Sequence, residues 1–539
     1  MKFKMLHKNH TTKILLCVSI ILTSQFSILN SLRAQKPVIP DTASAGQLRV
    51  DEVMSLIDGN YVDAPDMDRM GEEAIKAMLK ALDPHSMYIP AKDVQRANEG
   101  LEGNFEGVGI SFQIIDDTIV VGSVIDGGPS EKVGIMVGDK LIRIDGSPAT
   151  GDSINNNFVF KHLRGKKGTV VSIDILRQGT VYNFEITRDK VPIYSIDTYF
   201  MADDTIGYIR LVRFARTSVD EFRKALKSLK KQGMTALILD LRGNTGGYLD
   251  IAYGMANEFL SRGQLIVYTE GRRSPRQDFR ANSRGNFRDG RLAVLIDEGS
   301  ASASEILSGA IQDWDRGIVI GRRSFGKGLV QRMMQLKDGG QVRLTTARYY
   351  TPSGRCIQRP YDGGSDAYRD DLSQRYKHGE LVNADSIHFA DSLRYRTAHG
   401  RTVYGGGGIM PDIFVPIDTM RLSDYYISLR GKGLLNTFPM QWADTHRGMP
   451  QVKTFNDFLA NYDSFGLDSL LAAAAIEKGV VRDTEKEALE PERTAHSDNY
   501  LRLMLKAQVA RDLFGIDYYY MVMKDFDDGY NAALLQLRR

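Results

Sequence analysis

RLAVLIDEGSASASEILSGAIQDW, Arg291–Trp314, reads as a strand, a turn and a helix in direct succession. The turn carries three serines, Ser300, Ser302 and Ser304, separated by single alanines. A serine at a helix N-terminus is ordinarily a cap, so at least one of the three is expected to cap. The small alanines also let another backbone come close. The first helical N–H groups, unpaired inside the helix, are available to a developing oxyanion.

The same alternation extends outward from this stretch. TIGYIRLVRF (205–214) is a strand, SVDEFRKALKSLKKQG (218–233) an amphipathic helix, and TALILDLRGNTGG (235–247) a buried strand entering a glycine-rich turn. GIVIG (317–321) is a further strand. From about 195 to 416 this is the pattern of an α/β layered fold.

GRRSFGKGLVQ (321–331) nearly matches a phosphate-binding loop, but Gly328 stands where Ser or Thr would hold magnesium. The nucleotide reading therefore fails, and Lys327 needs another use. In water a lysine titrates near 10.4 and is protonated at neutral pH. Burial away from carboxylates makes it a base. Phe325, Leu329 and Val330 supply apolar neighbours, and no Asp or Glu lies between Gly317 and Leu336. Gln331 can hold the amine through its amide oxygen if the backbone brings it near. One helical turn would separate positions 327 and 331 by about 6 Å, a strand by about 13 Å. VQRMMQLKDGGQVRLTTARYY (330–350) reads as a hairpin.

Other nucleophile systems have less support. The nine histidines form no H-E-x-x-H pattern, no G-x-S-x-G elbow occurs, and TPSGRCIQ gives Cys356 no obvious base. That leaves a serine paired with a lysine. SASASEI, FGKG and a glutamine four residues on resemble the signature of the C-terminal processing peptidases, serine proteases of S41 type. The resemblance implies Ser302 as nucleophile, Lys327 as general base and Gln331 as its orienting partner. DLRGNTGG resembles the family's D-L-R-x-N-P-G-G turn, with Thr245 in place of proline, which implies Gly246, Gly247 and Ala303 as the oxyanion hole. LDPHSMY (82–88), ARYYTPSGRCIQ (347–358) and GGGGIMPDIFVP (405–416) also look like family segments. The fold so implied is an α/β multi-domain protein with a ClpP/crotonase-like protease core. No metal and no cofactor are expected.

Between about 103 and 191 the hydrophobic period falls to two. GVGISFQIIDDTIVVGSVI (107–125) reads as strands turning at Asp116–Asp117, and TVVSIDILRQGTVYNFEITR (169–188) as a hairpin around Gly179. With GPSEKVGIMVGDKLIRIDG (128–146) between them, the segment resembles an inserted PDZ-like β-barrel domain of bacterial protease type. Gly107, Val108, Gly109 and Ile110 then fall on the loop that receives a peptide's terminal carboxylate, with the peptide pairing beside Ile110 and Phe112.

The 539 residues carry a formal net charge of +3, which gives no nucleic-acid surface. Residues 1–34 read as an export signal cleaved after Ala34, with a retained membrane anchor as the alternative. The domains expected are this signal, a helical region 35–102, the PDZ domain 103–191, the peptidase domain 192–416 and a helical extension 417–539. The function implied is an exported, ATP-independent endopeptidase acting on proteins with accessible C-termini, in the periplasm or cell envelope. A catalytically silent peptide-binding scaffold and an acyl-CoA enzyme are the competing readings. An adaptor protein, membrane association and a homo-oligomer stay open.

Overall fold

The structure is a computed structural model that describes residues 42–282 and 285–539. The expected signal, 1–34, lies outside the described residues. The chain divides into two compact units, one ending at Ile75 and the other beginning at Lys76. In the first, the helix Ala45–Asn60 starts at a reciprocal cap, in which Ser44 and Gln47 each bind the other's backbone N–H.

In the second unit the PDZ-like segment follows its sequence pattern. The strands Ile110–Ile115, Thr118–Val124, Lys140–Ile144, Val170–Arg177 and Thr180–Thr187 pair antiparallel in that order. Both tight turns fall where the sequence puts them. Asp116 and Asp117 have φ of 45° and 57°, and Gln178 and Gly179 have 48° and 81°. These positive values suit the twist of two-residue hairpins. Val108, Ile119, Leu141, Val159, Ile173 and Ile186 belong to its buried core.

The peptidase sheet runs Ile196–Met201, Ile206–Leu211, Ala236–Asp240, Arg291–Ile296, Ile318–Gly321, Ile413–Phe414. Its first pair is antiparallel and the rest are parallel. Asp240 is in register with Leu295. The two strands therefore end together, and the turns that follow them lie side by side. Such carboxyl edges are where open α/β sheets bind ligands. The helices Ser218–Lys231, Leu249–Ala256 and Ala303–Asp313 cover one face, burying Phe222, Met255 and Leu307 against Leu239 and Val294. Each such side chain contributes about 1.5–3 kcal/mol.

On the other face lies the helix Asp528–Arg538, with Tyr530, Ala533 and Leu537 against Ile238, Leu295 and Ile320. The C-terminal extension thus packs on the core, while a separate apolar cluster of its own contains Leu501, Leu505 and Val509, with Leu513 half-buried beside it. A second sheet contains the hairpin Leu329–Gln335 and Gln341–Tyr350, the latter strand also pairing with Met87–Ile89.

Candidate active site

The three serines divide their work. Ser300 Oγ donates to the carbonyl of Leu241 at 2.9 Å, and Ser304 Oγ to that of Asn244 at 2.8 Å. These bonds fasten the serine turn to the glycine turn. Ser302 is left between them as the N-cap of the helix Ala303–Asp313, lining a cavity of about 280 Å³ with Lys327, Gln331, Gly246 and Gly247. Its backbone has φ 56° and ψ −111°, a conformation costly for a side-chain-bearing residue. Strain of this kind concentrates at functional sites, and here Ser300 and Ser304 stand two residues either side of Ser302, where the G-x-S-x-G elbow has its glycines. That is why a search for G-x-S-x-G misses it.

The glycine turn presses directly on the serine. A Cβ on Gly246 would stand 2.8 Å from Ser302 Cβ, and one on Gly247 would stand 2.1 Å from the Phe214 carbonyl oxygen. Of the three residues expected to bind an oxyanion, Gly246 already donates its N–H to Asn244 Oδ1 at 2.9 Å. The N–H groups of Gly247 and Ala303 have no acceptor among the described residues.

Glu305 was not anticipated from the sequence. It is fully buried and accepts four hydrogen bonds. Oε2 takes the backbone N–H of Ser302 at 2.8 Å and of Lys327 at 2.9 Å. Oε1 takes Ser324 Oγ at 2.5 Å and the N–H of Gly326 at 2.7 Å. Burial pushes this carboxyl up to about 7 against the pull of those donors. The spacing Ser302-x-x-Glu305 is a capping-box pattern, the signal that would have revealed it. Although residues 317–336 contain no acid, the fold therefore brings one beside Lys327. Tyr349 makes a second fastening, its hydroxyl lying against the carbonyl oxygens of Lys327 and, at 3.1 Å, Ser302.

Burial still lowers the Lys327 amine below its ordinary value, with Glu305 and Asp83 opposing the shift and Arg343 reinforcing it. Among the described residues its Nζ has no hydrogen-bond or ion-pair partner. Phe325, part of the expected apolar wall, stands edge-on to Tyr368 at 6.0 Å with the Arg359 guanidinium over it at 4.0 Å. His85 adjoins this wall and is pushed down to about 4, first by burial and then by Lys327.

Gln331 lies in the strand Leu329–Gln335, so the extended alternative holds. Its Nε2 donates to Thr345 Oγ1 at 3.2 Å, not to Lys327, although both side chains line the same cavity. In the PDZ-like segment, Val108, Gly109, Ile110 and Phe112 line a small apolar pocket with Phe105, Val159, Phe160 and Leu163. Gly107 bridges to Arg164 beside it, and Gly109 has φ 85°.

Comparison with known proteins decides the family. Residues 205–363 match the model of peptidase family S41, residues 107–187 that of the PDZ domain, and residues 425–515 that of a family of unknown function (DUF8443). A carboxy-terminal-processing protease of Bartonella bacilliformis is 34% identical over 402 residues, covering 72% of this chain and 90% of that one. The chain belongs to peptidase family S41. Within this family of serine peptidases, a "Probable CtpA-like serine protease" of Staphylococcus aureus is 32% identical over 318 residues, 59% of this chain. The chain spans 63% of that relative's length. Among solved structures, the photosystem II D1 C-terminal processing protease is 26% identical, with a TM-score of 0.36, over 69% of this chain and 94% of its own.

Proposed function

We propose that this S41 peptidase is an exported serine endopeptidase that takes proteins by their C-termini and cleaves them at Ser302. One observation carries the reading: an amine with no hydrogen-bond or ion-pair partner among the described residues shares a cavity with a serine on a strained elbow, beside two backbone N–H groups that have no acceptor among those residues. The core is read as ClpP/crotonase-like and the 103–191 segment as a small barrel. Gly107, Val108 and Gly109 receive the terminal carboxylate, and Ile110 and Phe112 pair with the peptide.

In the reaction, Lys327 Nζ takes the Ser302 Oγ proton as Oγ attacks the scissile carbonyl carbon. The oxyanion is met by the N–H groups of Gly247 and Ala303, while Gly246 keeps the turn close to the serine. Collapse of this adduct expels the amine product, protonated by Lys327. The base then activates water to hydrolyse the ester, restoring Ser302. Gln331 Oε1, its Nε2 held by Thr345, is the acceptor that orients the amine.

Ser302→Ala and Lys327→Ala are each expected to abolish peptide hydrolysis with the melting transition retained. Hydrolysis surviving in both would overturn the reading and favour the silent scaffold. Export is tested by N-terminal sequencing of the protein recovered outside the cytoplasm, a start at Gln35 being the expected result.

A further inference from the structure

Arg343 lies in the strand Gln341–Tyr350 and lines the cavity that holds Ser302 and Lys327. Its guanidinium is anchored by neutral groups. One terminal nitrogen, Nη2, donates to the carbonyl of Ala97 and to Asn98 Oδ1, both at 2.9 Å. Its Nε is buried without a partner, and no carboxylate stands within 4.0 Å of it among the described residues. Arg210, Arg242 and Arg355 face aspartates at under 3 Å, whereas Arg343, like Arg188 and Arg316, is held by neutral oxygens alone. A guanidinium whose charge is left uncancelled beside a second cation raises the energy of that cation.

We infer that Arg343 is a positioning residue for catalysis, fixed by the helix Ala91–Glu102 so that its charge disfavours a second positive charge on Lys327. The inference rests on Lys327 being the base of the proposed reaction. The charges around that amine make the need plain. Glu305 from the nucleophile helix and Asp83 from the turn before Met87–Ile89 both favour an ammonium. His85, on that turn, is neutral above about pH 4, and Tyr349 presents an uncharged hydroxyl. Arg359 stands behind the Phe325 ring. Against two carboxylates, Arg343 is the cation within the cavity itself. Two neutral acceptors on one helix hold it without discharging it. A carboxylate in their place would hold it equally well and cancel its effect on Lys327.

The test is the pH profile of kcat/KM for Arg343→Met and Arg343→Lys, with Lys327→Ala measured alongside. In Arg343→Met the ascending limb should move to higher pH, giving about a tenfold loss on the acidic limb that closes on the alkaline plateau, where the amine is free in either protein. Arg343→Lys should restore most of the limb. A loss equal at every pH, with the limb unmoved, would make Arg343 merely structural and overturn the inference. A rise in KM confined to acidic substrates, again with the limb unmoved, would make it a substrate contact and overturn it likewise. Activity persisting in Lys327→Ala would instead remove the reaction on which the inference stands.

Discussion

Oε2 of Glu305 accepts the backbone N–H of Ser302 at 2.8 Å and that of Lys327 at 2.9 Å, so one buried oxygen atom sets the spacing between the two residues proposed to react. Neither contact touches a reacting atom. Both fix where the reacting side chains start, which is how precise placement of a nucleophile and its base is supported from outside the cavity. Removing the carboxylate leaves the Ser324 hydroxyl proton and three backbone N–H groups without their acceptor, while Ser324 Oγ still accepts from Ile409 N–H. Glu305→Ala should destabilise the fold by about 3 kcal/mol or more, since each buried donor left unpaired costs about 1–3 kcal/mol. It should also lower kcat in whatever folded fraction remains. Thermal melting and single-turnover hydrolysis check the two effects separately.

The same group gives a pH signature. Folded Glu305 titrates near 7, above its ordinary value of 4.5, so the folded state holds the proton more tightly. Its contribution to stability is complete below about pH 4.5 and is lost as pH rises through about 7. Glu305→Gln, which cannot ionise, should flatten the fall in melting temperature across that window. An unchanged slope would mean that the carboxyl is ionised throughout.

Much of the fold was legible because its signals are local. The turns at Asp116–Asp117 and Gly179 announce themselves by residues that tolerate positive φ, and the buried strand Ala236–Asp240 by an apolar run. The catalytic candidates were legible as motifs. What escaped was the scaffolding that joins them. Glu305, Tyr349 and Arg343 lie 22, 22 and 16 positions from Lys327 along the chain, and nothing in a linear window brings them to it. The spacing of Lys327 and Gln331 was ambiguous for the opposite reason. A helix and a strand place the pair differently, and only the pairing of Gln331 with Thr345 selects the strand.

The glycine turn should tolerate no side chain at Gly247. A Cβ there would lie 2.1 Å from the Phe214 carbonyl oxygen, and that backbone is held by bonds from Phe214 N–H to Gly246 and from Tyr248 N–H to Phe214. Gly247→Ala should cost more than about 2 kcal/mol. It should also depress kcat more than KM, because it displaces a proposed oxyanion donor. Steady-state kinetics on a short peptide, beside a melting curve, reads both. A variant with wild-type kcat would exclude Gly247 from the oxyanion hole.

The C-terminal extension reaches the same turn. Arg242, in DLRGNTGG, is gripped by Asp240 from its own strand and by Asp527 from the extension, with both ion pairs at 2.6 Å. Solvent reaches about a fifth of the Arg242 side chain, so Asp527→Ala should cost about 1–3 kcal/mol, less than a fully buried pair. If the grip also shapes the turn, kcat falls while peptide affinity of the PDZ-like segment is unchanged. Equilibrium binding of a C-terminal peptide and turnover of a substrate, measured on one preparation, separate those effects.

Lys327 should show a conflict between stability and activity. Its amine titrates below the ordinary 10.5 because burial penalises the ammonium. A group depressed in the folded state contributes its stability above its unfolded value and loses it as pH falls through the folded one. At neutral pH the side chain is therefore a burden on the fold. Lys327→Met keeps the aliphatic bulk, removes the amine and should melt at a higher temperature than the native protein, with hydrolysis gone. The advantage should shrink as the buffer is raised and vanish above about pH 10.5, where the native amine is neutral in both states. A methionine variant that melts lower at neutral pH would show the ammonium to be stabilised in place by Glu305, and a base so stabilised could not take the serine proton.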